Sequence, residues 1–184
     1  MNYQSILSAK PKDVLGVFIG IVLLLIISNN IPVTHNITEM IMLIGRIVFI
    51  GLYFAWLYII GISLYNKLQI NAPRALLFFR FNILFVVVYL FIITYLFPES
   101  DNANTAQELS QTFRQILPFH FYSLFAVIYS SYFVSKRLIS IEKGKEVDFS
   151  ECFVPFILIV FLPIGTWYIQ NKINKIFMSN NNAP

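Results

Sequence analysis

Arg46, Arg80, Asn82 and His120 lie inside otherwise apolar stretches, and polarity within a membrane is costly enough to make each a candidate site. Arg46 stands a few residues inside one stretch, and Arg80 with Asn82 a similar distance inside the next. Followed across a bilayer, Arg46 falls toward one face and Arg80 toward the other, so they serve different layers. Each arginine is close enough to an interface to snorkel onto a headgroup; the sharper reading is a polar cavity or ligand contact, shared by Arg46 with His120 at the same depth. His120 and Ser123 share a helix face and form the only arrangement resembling a base with a nucleophile. Serine chemistry would also require an oxyanion hole and a pair buried at depth, and the sequence offers neither.

The remaining chemistry-bearing residues exclude more than they suggest. Asp13, Asp101 and Asp148 all lie outside the apolar cores, which removes a buried aspartyl dyad. There is no HExxH pattern, P-loop or Gly-rich turn after a strand. A single cysteine, Cys152, makes neither an internal disulfide nor a cysteine zinc site. No selectivity-filter signature, mid-span acidic ring or pair of similar halves is present. The expectation is a non-enzymatic protein with no cofactor and no metal.

Small residues form a second pattern. Gly16 and Gly20 make a GxxxG, and Gly51 with Ala55 a small-xxx-small pair, spacings that let helix backbones approach closely. They read as packing within the chain or, more sharply, as oligomerisation.

The elements that must position these residues follow from composition. The chain is 58% hydrophobic and 12% charged over 184 residues, far from the roughly 25% charged of a soluble domain. Continuous apolar runs without strand-like alternation predict helices rather than a barrel. The fold expected is all-α, a polytopic membrane helical bundle of four or five transmembrane segments in one domain, with spans near 14–31, 40–65, 75–97, 117–134 and 153–169. The first reads as an uncleaved helix, because no small-residue cleavage site follows it. Residues 98–115 read as a water-exposed loop with room for one amphipathic turn.

Orientation follows from the cations. With a cytoplasmic N-terminus, Lys10, Lys12, Lys67, Arg74, Lys136, Arg137, Lys143 and Lys145 fall on the cytoplasmic side and Arg114 alone falls outside, as the positive-inside rule requires. The last run does not settle so easily, because Lys172 and Lys175 follow it. It either crosses, kinked at Pro163, or dips in and returns as a re-entrant element; its length favours crossing. The net charge of +4 then belongs to membrane headgroups rather than nucleic acid.

The stretch Phe161-Leu162-Pro163-Ile164-Gly165-Thr166-Trp167-Tyr168-Ile169-Gln170-Asn171-Lys172-Ile173-Asn174-Lys175 resembles a C-terminal F-P-I-G-x-W-x-I-Q-P-[KR]-I-N-K motif. That motif closes a group of small uncharacterised multi-pass proteins of Bacteroidota. Leu162 is an extra residue here, and Asn171 replaces the motif's proline. Ser135-Lys136-Arg137-Leu138 and Val147-Asp148-Phe149-Ser150 look like the same group's cytoplasmic loop. The resemblance implies a bacterial inner-membrane location and assigns no activity. In size and span count the chain is also similar to the membrane accessory proteins beside type VI-B CRISPR effectors, an architectural analogy without a residue motif.

These readings converge on an accessory or interaction protein that engages a partner or anionic lipid headgroups through the basic surface of Lys67, Arg74, Lys136, Arg137, Lys143 and Lys145. A pore or membrane-perturbing effector, oligomerised through the glycine faces, is the rival. A lipid-headgroup enzyme using Arg46 and His120 is a weaker third.

Overall fold

A computed structural model describes residues 4–30, 35–68, 72–96, 106–161 and 164–178. Among the described residues the protein is all-helical: α1 (Gln4–Leu7), α2 (Pro11–Asn30), α3 (His35–Leu68), α4 (Pro73–Leu96), α5 (Ala106–Lys143), α6 (Phe149–Val160) and α7 (Ile164–Met178). Three stretches, Met40–Leu68, Pro73–Thr94 and Arg114–Lys143, are long and apolar enough to cross a membrane. Their outward faces carry large apolar side chains such as Leu77 (69% exposed), Leu84 (64%) and Phe121 (63%). Such a continuous apolar surface suits lipid, where each helix satisfies its own backbone hydrogen bonds.

The helices outrun the expected spans. α3 has 34 residues and α5 has 38, about 51 and 57 Å at 1.5 Å per residue, against a hydrocarbon core of about 30 Å. α5 absorbs Ala106 to Gln115, expected as loop, and continues past Val134 to Lys143. Pro118 lies inside it and removes one backbone donor, but the helix runs on. The proline at the first position of α4 suits a helix start, where its missing N–H has no intrahelical role.

α3, α4 and α5 alternate in direction, so the C-terminus of α3, the N-terminus of α4 and the C-terminus of α5 meet at one end. Because most cations gather there, it is the basic end. The core between these helices is aromatic: Phe79 stacks on Phe133 with centroids 4.5 Å apart and lies beside Tyr58 at 6.3 Å. Gly61 makes room for that stack, since a Cβ there would sit 2.5 Å from the Phe79 ring.

The last apolar run, expected as one segment, forms two helices instead. α5 ends at Lys143, and the Gly144 that follows has a φ of 64°, the left-handed geometry of a helix stop. Asp148 then starts α6, its backbone N–H donating to Glu151 Oε2 at 3.3 Å, one half of a capping box. The far end of α6 meets the middle of α3, where the Tyr53 hydroxyl donates to the Ile159 carbonyl at 3.3 Å. α7 then returns: Trp56 Nε1 donates to Gln170 Oε1 at 3.1 Å, Lys67 Nζ donates to the Ile176 carbonyl, and Lys172 pairs with Glu142 at the end of α5. Tyr53, Trp56 and Lys67 follow one another along α3 toward the basic end, so α7 runs back to the end from which α6 began.

The run is therefore a helical hairpin. The far end of α6, level with Tyr53, lies about 21 Å along α3 from Lys67, less than the roughly 30 Å of a hydrocarbon core. Length explains the outcome, because the 12 residues of α6 reach only about 18 Å. Gly165 makes the return possible: a Cβ there would fall 1.5 Å from the Leu158 carbonyl oxygen.

Candidate functional site

The hairpin brings Lys172 and Lys175 to the basic end, beside Lys10, Lys12, Lys67, Arg74, Lys136, Arg137, Lys143 and Lys145. Ten of the 13 Lys and Arg residues thus share one end, leaving Arg46 and Arg80 within spans and Arg114 at the far end.

Most of these cations are tied down rather than presented. Lys136 pairs with Glu146 at 3.1 Å, Lys143 with Glu151 at 2.6 Å, Lys145 with Glu151 at 3.7 Å, and Lys172 with Glu142. The hydrogen bond from Lys143 holds the Glu151 carboxyl below its ordinary value, with smaller help from the Asp148 N–H and the charges of Lys143 and Lys145 against desolvation. Lys67 lies 4.9 Å from the Phe177 ring centroid while it binds the Ile176 carbonyl, where a cation complements the C-terminal dipole of α7. Arg74 and Lys145 are exposed.

Arg137 departs furthest from the expected basic surface, being only 6% exposed. Its guanidinium lies 5.7 Å from the Tyr65 ring centroid and 5.3 Å from that of Phe133, a stacked setting that a planar cation tolerates. Nη1 is buried without a hydrogen-bond partner, as is the hydroxyl of Ser140 one turn on. The cause is the length of α5: Ser130, Phe133, Arg137 and Ser140 recur at helical spacing, and all four are buried. Arg137 is thus a packed residue of the bundle and not a docking cation.

The intramembrane candidates separate. Arg80 is exposed on α4 and Arg46 is half-buried on α3. Asn82 is buried and accepts from the Tyr122 hydroxyl at 2.9 Å, while its Nδ2 has no partner. His120 is exposed and shares a 2.9 Å hydrogen bond between Nδ1 and the Tyr89 hydroxyl. Ser123 donates to the backbone carbonyl of His120 at 2.8 Å, not to its ring, so the arrangement resembling base and nucleophile is not made.

The glycine faces also turn outward. A Cβ at Gly16, Gly20 or Gly51 would meet nothing within 4 Å, and Ala55 is exposed. Packing within the chain falls to other glycines: Gly45 against Leu25, Gly61 against Phe79 and Gly165 against Leu158. Spacing alone could not separate the two sets.

Gln170 was not singled out by its sequence setting, yet it is the most connected polar side chain of the hairpin. It is fully buried, accepts from Trp56, and donates to the carbonyls of Ile6 (3.0 Å) and Ala9 (3.3 Å) and to Asn174 Oδ1 (3.1 Å). Asn174 adds a bond to the Ala9 carbonyl at 3.1 Å. Together they bind the start of the chain to its last helix. The buried spacing Thr166, Ile169, Gln170, Ile173 is the signal that could have revealed it.

Among the described residues no group of His, Cys, Asp and Glu is placed to hold a metal ion. No protein-family model matches the chain, and neither a curated protein nor a solved structure matches it.

Proposed function

We propose that this is a non-enzymatic accessory or interaction protein of a bacterial inner membrane, with its N-terminus in the cytoplasm, engaging anionic lipid or a protein partner through its basic end. The observation that carries the reading is the return of α7, which adds Lys172 and Lys175 to the cations of one end and leaves Arg114 at the other. A charge asymmetry of this kind orients a membrane protein with its basic end inside and draws it to anionic headgroups. The exposed Arg74 is a contact residue of that surface, with Lys145, which stays exposed although it lies 3.7 Å from Glu151; Arg137 supports it from within.

The test is the mass and composition of the protein extracted from its native membrane. A monomer carrying anionic lipid, or a stoichiometric complex with one partner, is expected. Arg74→Glu with Lys145→Glu should then weaken the association without unfolding the bundle. A closed homo-oligomer that conducts ions would overturn the reading.

One observation favours a second reading, self-association of α2 and α3 through Gly16, Gly20, Gly51 and Ala55: among the described residues a Cβ at each of the three glycines meets nothing within 4 Å, and Ala55 is exposed. In that case Gly16→Leu with Gly20→Leu reduces the oligomer to monomers; an unchanged mass rules it out.

A further inference from the structure

Among the described residues, Arg137 is a buried cation without a counter-charge. It is only 6% exposed, its Nη1 donates to nothing, and none of the ion pairs of the basic end includes it. The glutamates of that end are held by lysines instead: Glu142 by Lys172, Glu146 by Lys136, and Glu151 by Lys143 and Lys145. A lysine so placed could shed its proton, whereas a guanidinium keeps its charge.

Two features offset part of the cost of that burial. The Tyr65 and Phe133 rings lie 5.7 and 5.3 Å from the guanidinium, and α3 ends at Leu68, three residues beyond Tyr65, with the negative end of its dipole on this side. Neither brings a full negative charge or accepts the Nη1 proton, and an ion buried unpaired costs more than such contacts offset. Ser140, one turn nearer the end of α5 on the same face, is also buried with a hydroxyl that has no partner. The setting calls for an anionic acceptor that the described residues do not supply.

Depth narrows what that acceptor is. Arg137 follows Lys136 directly and precedes Lys143 by about 9 Å of helix, while Tyr65 stands two residues before Lys67 on α3. The guanidinium therefore lies within about two turns of the lysines of the basic end, the level of headgroup phosphates. A phosphate presents paired oxygens to a planar fork, the match for which arginine is suited above lysine. We propose that Arg137 anchors an internal phosphate-binding site between α3 and α5, taking the phosphate of a membrane phospholipid or a free phosphate ion. The site stands apart from the exposed Arg74 and Lys145, and its failure would leave the proposed surface contact untouched.

Thermal unfolding of the full chain tests it, in mild detergent stripped of lipid and in buffer free of phosphate. Inorganic phosphate is compared with sodium chloride at equal ionic strength, and phosphatidylglycerol with a diacylglycerol of the same acyl chains. At saturation the phosphate-bearing compound should raise the melting temperature about 5 °C above its control. A rise with inorganic phosphate identifies a site open to the free ion; a rise with phosphatidylglycerol alone identifies a lipid headgroup. Arg137→Met, apolar and close in length, should lose the rise, whereas Lys12→Gln, at an exposed cation of the same end, should keep it. Should Arg137→Met fail to fold, Arg137→Gln repeats the test. A wild type indifferent to both forms of phosphate, or an equal rise in the Arg137 variant, would mean charge screening or surface lipid only and overturn the site.

Discussion

At Gln170 a single side chain joins three parts of the chain: α1, the middle of α3 and α7. Gln170→Leu leaves the Trp56 indole N–H without its partner, while the Ile6 and Ala9 carbonyls keep the Ala9 N–H and Asn174 Nδ2 as donors; a buried unpaired polar group costs about 1–3 kcal/mol. Thermal unfolding in detergent should show that loss, with a shift in Trp56 emission at temperatures where the bundle is still folded. Arg137 gives a second prediction. Arg137→Lys keeps the charge but loses the planar stacking on Tyr65 and Phe133, and should cost about 1 kcal/mol by the same measurement. Arg137→Ala should cost more, through lost packing as well as lost charge. Acid gives a third. Glu151 has a depressed value in the folded protein, so its contribution is present above the ordinary carboxylate range near 4.3 and is lost as pH falls through the folded value. Hydrogen exchange at the Asp148 amide, corrected for its intrinsic pH dependence, should therefore show loosening only below about pH 4. Glu151→Gln should remove that pH dependence. Arg137 also shows what a local reading misses: the pair Lys136-Arg137 looks like a helix ending in water, whereas a helix carried on to Lys143 turns Arg137 inward with Phe133.

At the scale of elements, the apolar lengths made α3, α4 and the middle of α5 legible, because lipid leaves a backbone little choice but helix. The boundaries were less so. Ala106 to Gln115 looks like loop by composition yet continues α5, and the stop and start around the basic turn rest on Gly144 and on the Asp148/Glu151 pair, a spacing the sequence does display. The hairpin was the hardest element. Its length suits a short span or a dip, and the choice is made by Tyr53, Trp56 and Lys67 of α3, distant in sequence from Ile159, Gln170 and Ile176. Gly165 carries the sharpest prediction here. Gly165→Ala drives a methyl into the Leu158 carbonyl, so the turn must open, at a cost of about 1–3 kcal/mol in thermal stability. Gly16→Ala, with nothing within 4 Å, should leave the monomer unchanged. Equal melting of the two variants would contradict the tight turn.

For the whole molecule, the hairpin converts an ambiguous charge pattern into a one-sided one. A fifth crossing would strand Lys172 and Lys175 at the end occupied by Arg114; the return of α7 places them beside Glu142 and the end of α3. The one-sided charge on which the proposed orientation rests depends on that placement. It is tested most directly by side-specific labelling of single-cysteine variants in membrane vesicles of known orientation, in a Cys152→Ala background. The positions Lys12, Lys145, Lys175 and Arg114 are all exposed and are replaced by Cys one at a time with an impermeant thiol reagent as probe. Labelling of Lys12→Cys, Lys145→Cys and Lys175→Cys from the cytoplasmic side, with Arg114→Cys labelled from the opposite side, is the predicted result. Labelling of Lys175→Cys from the same side as Arg114→Cys would contradict the hairpin.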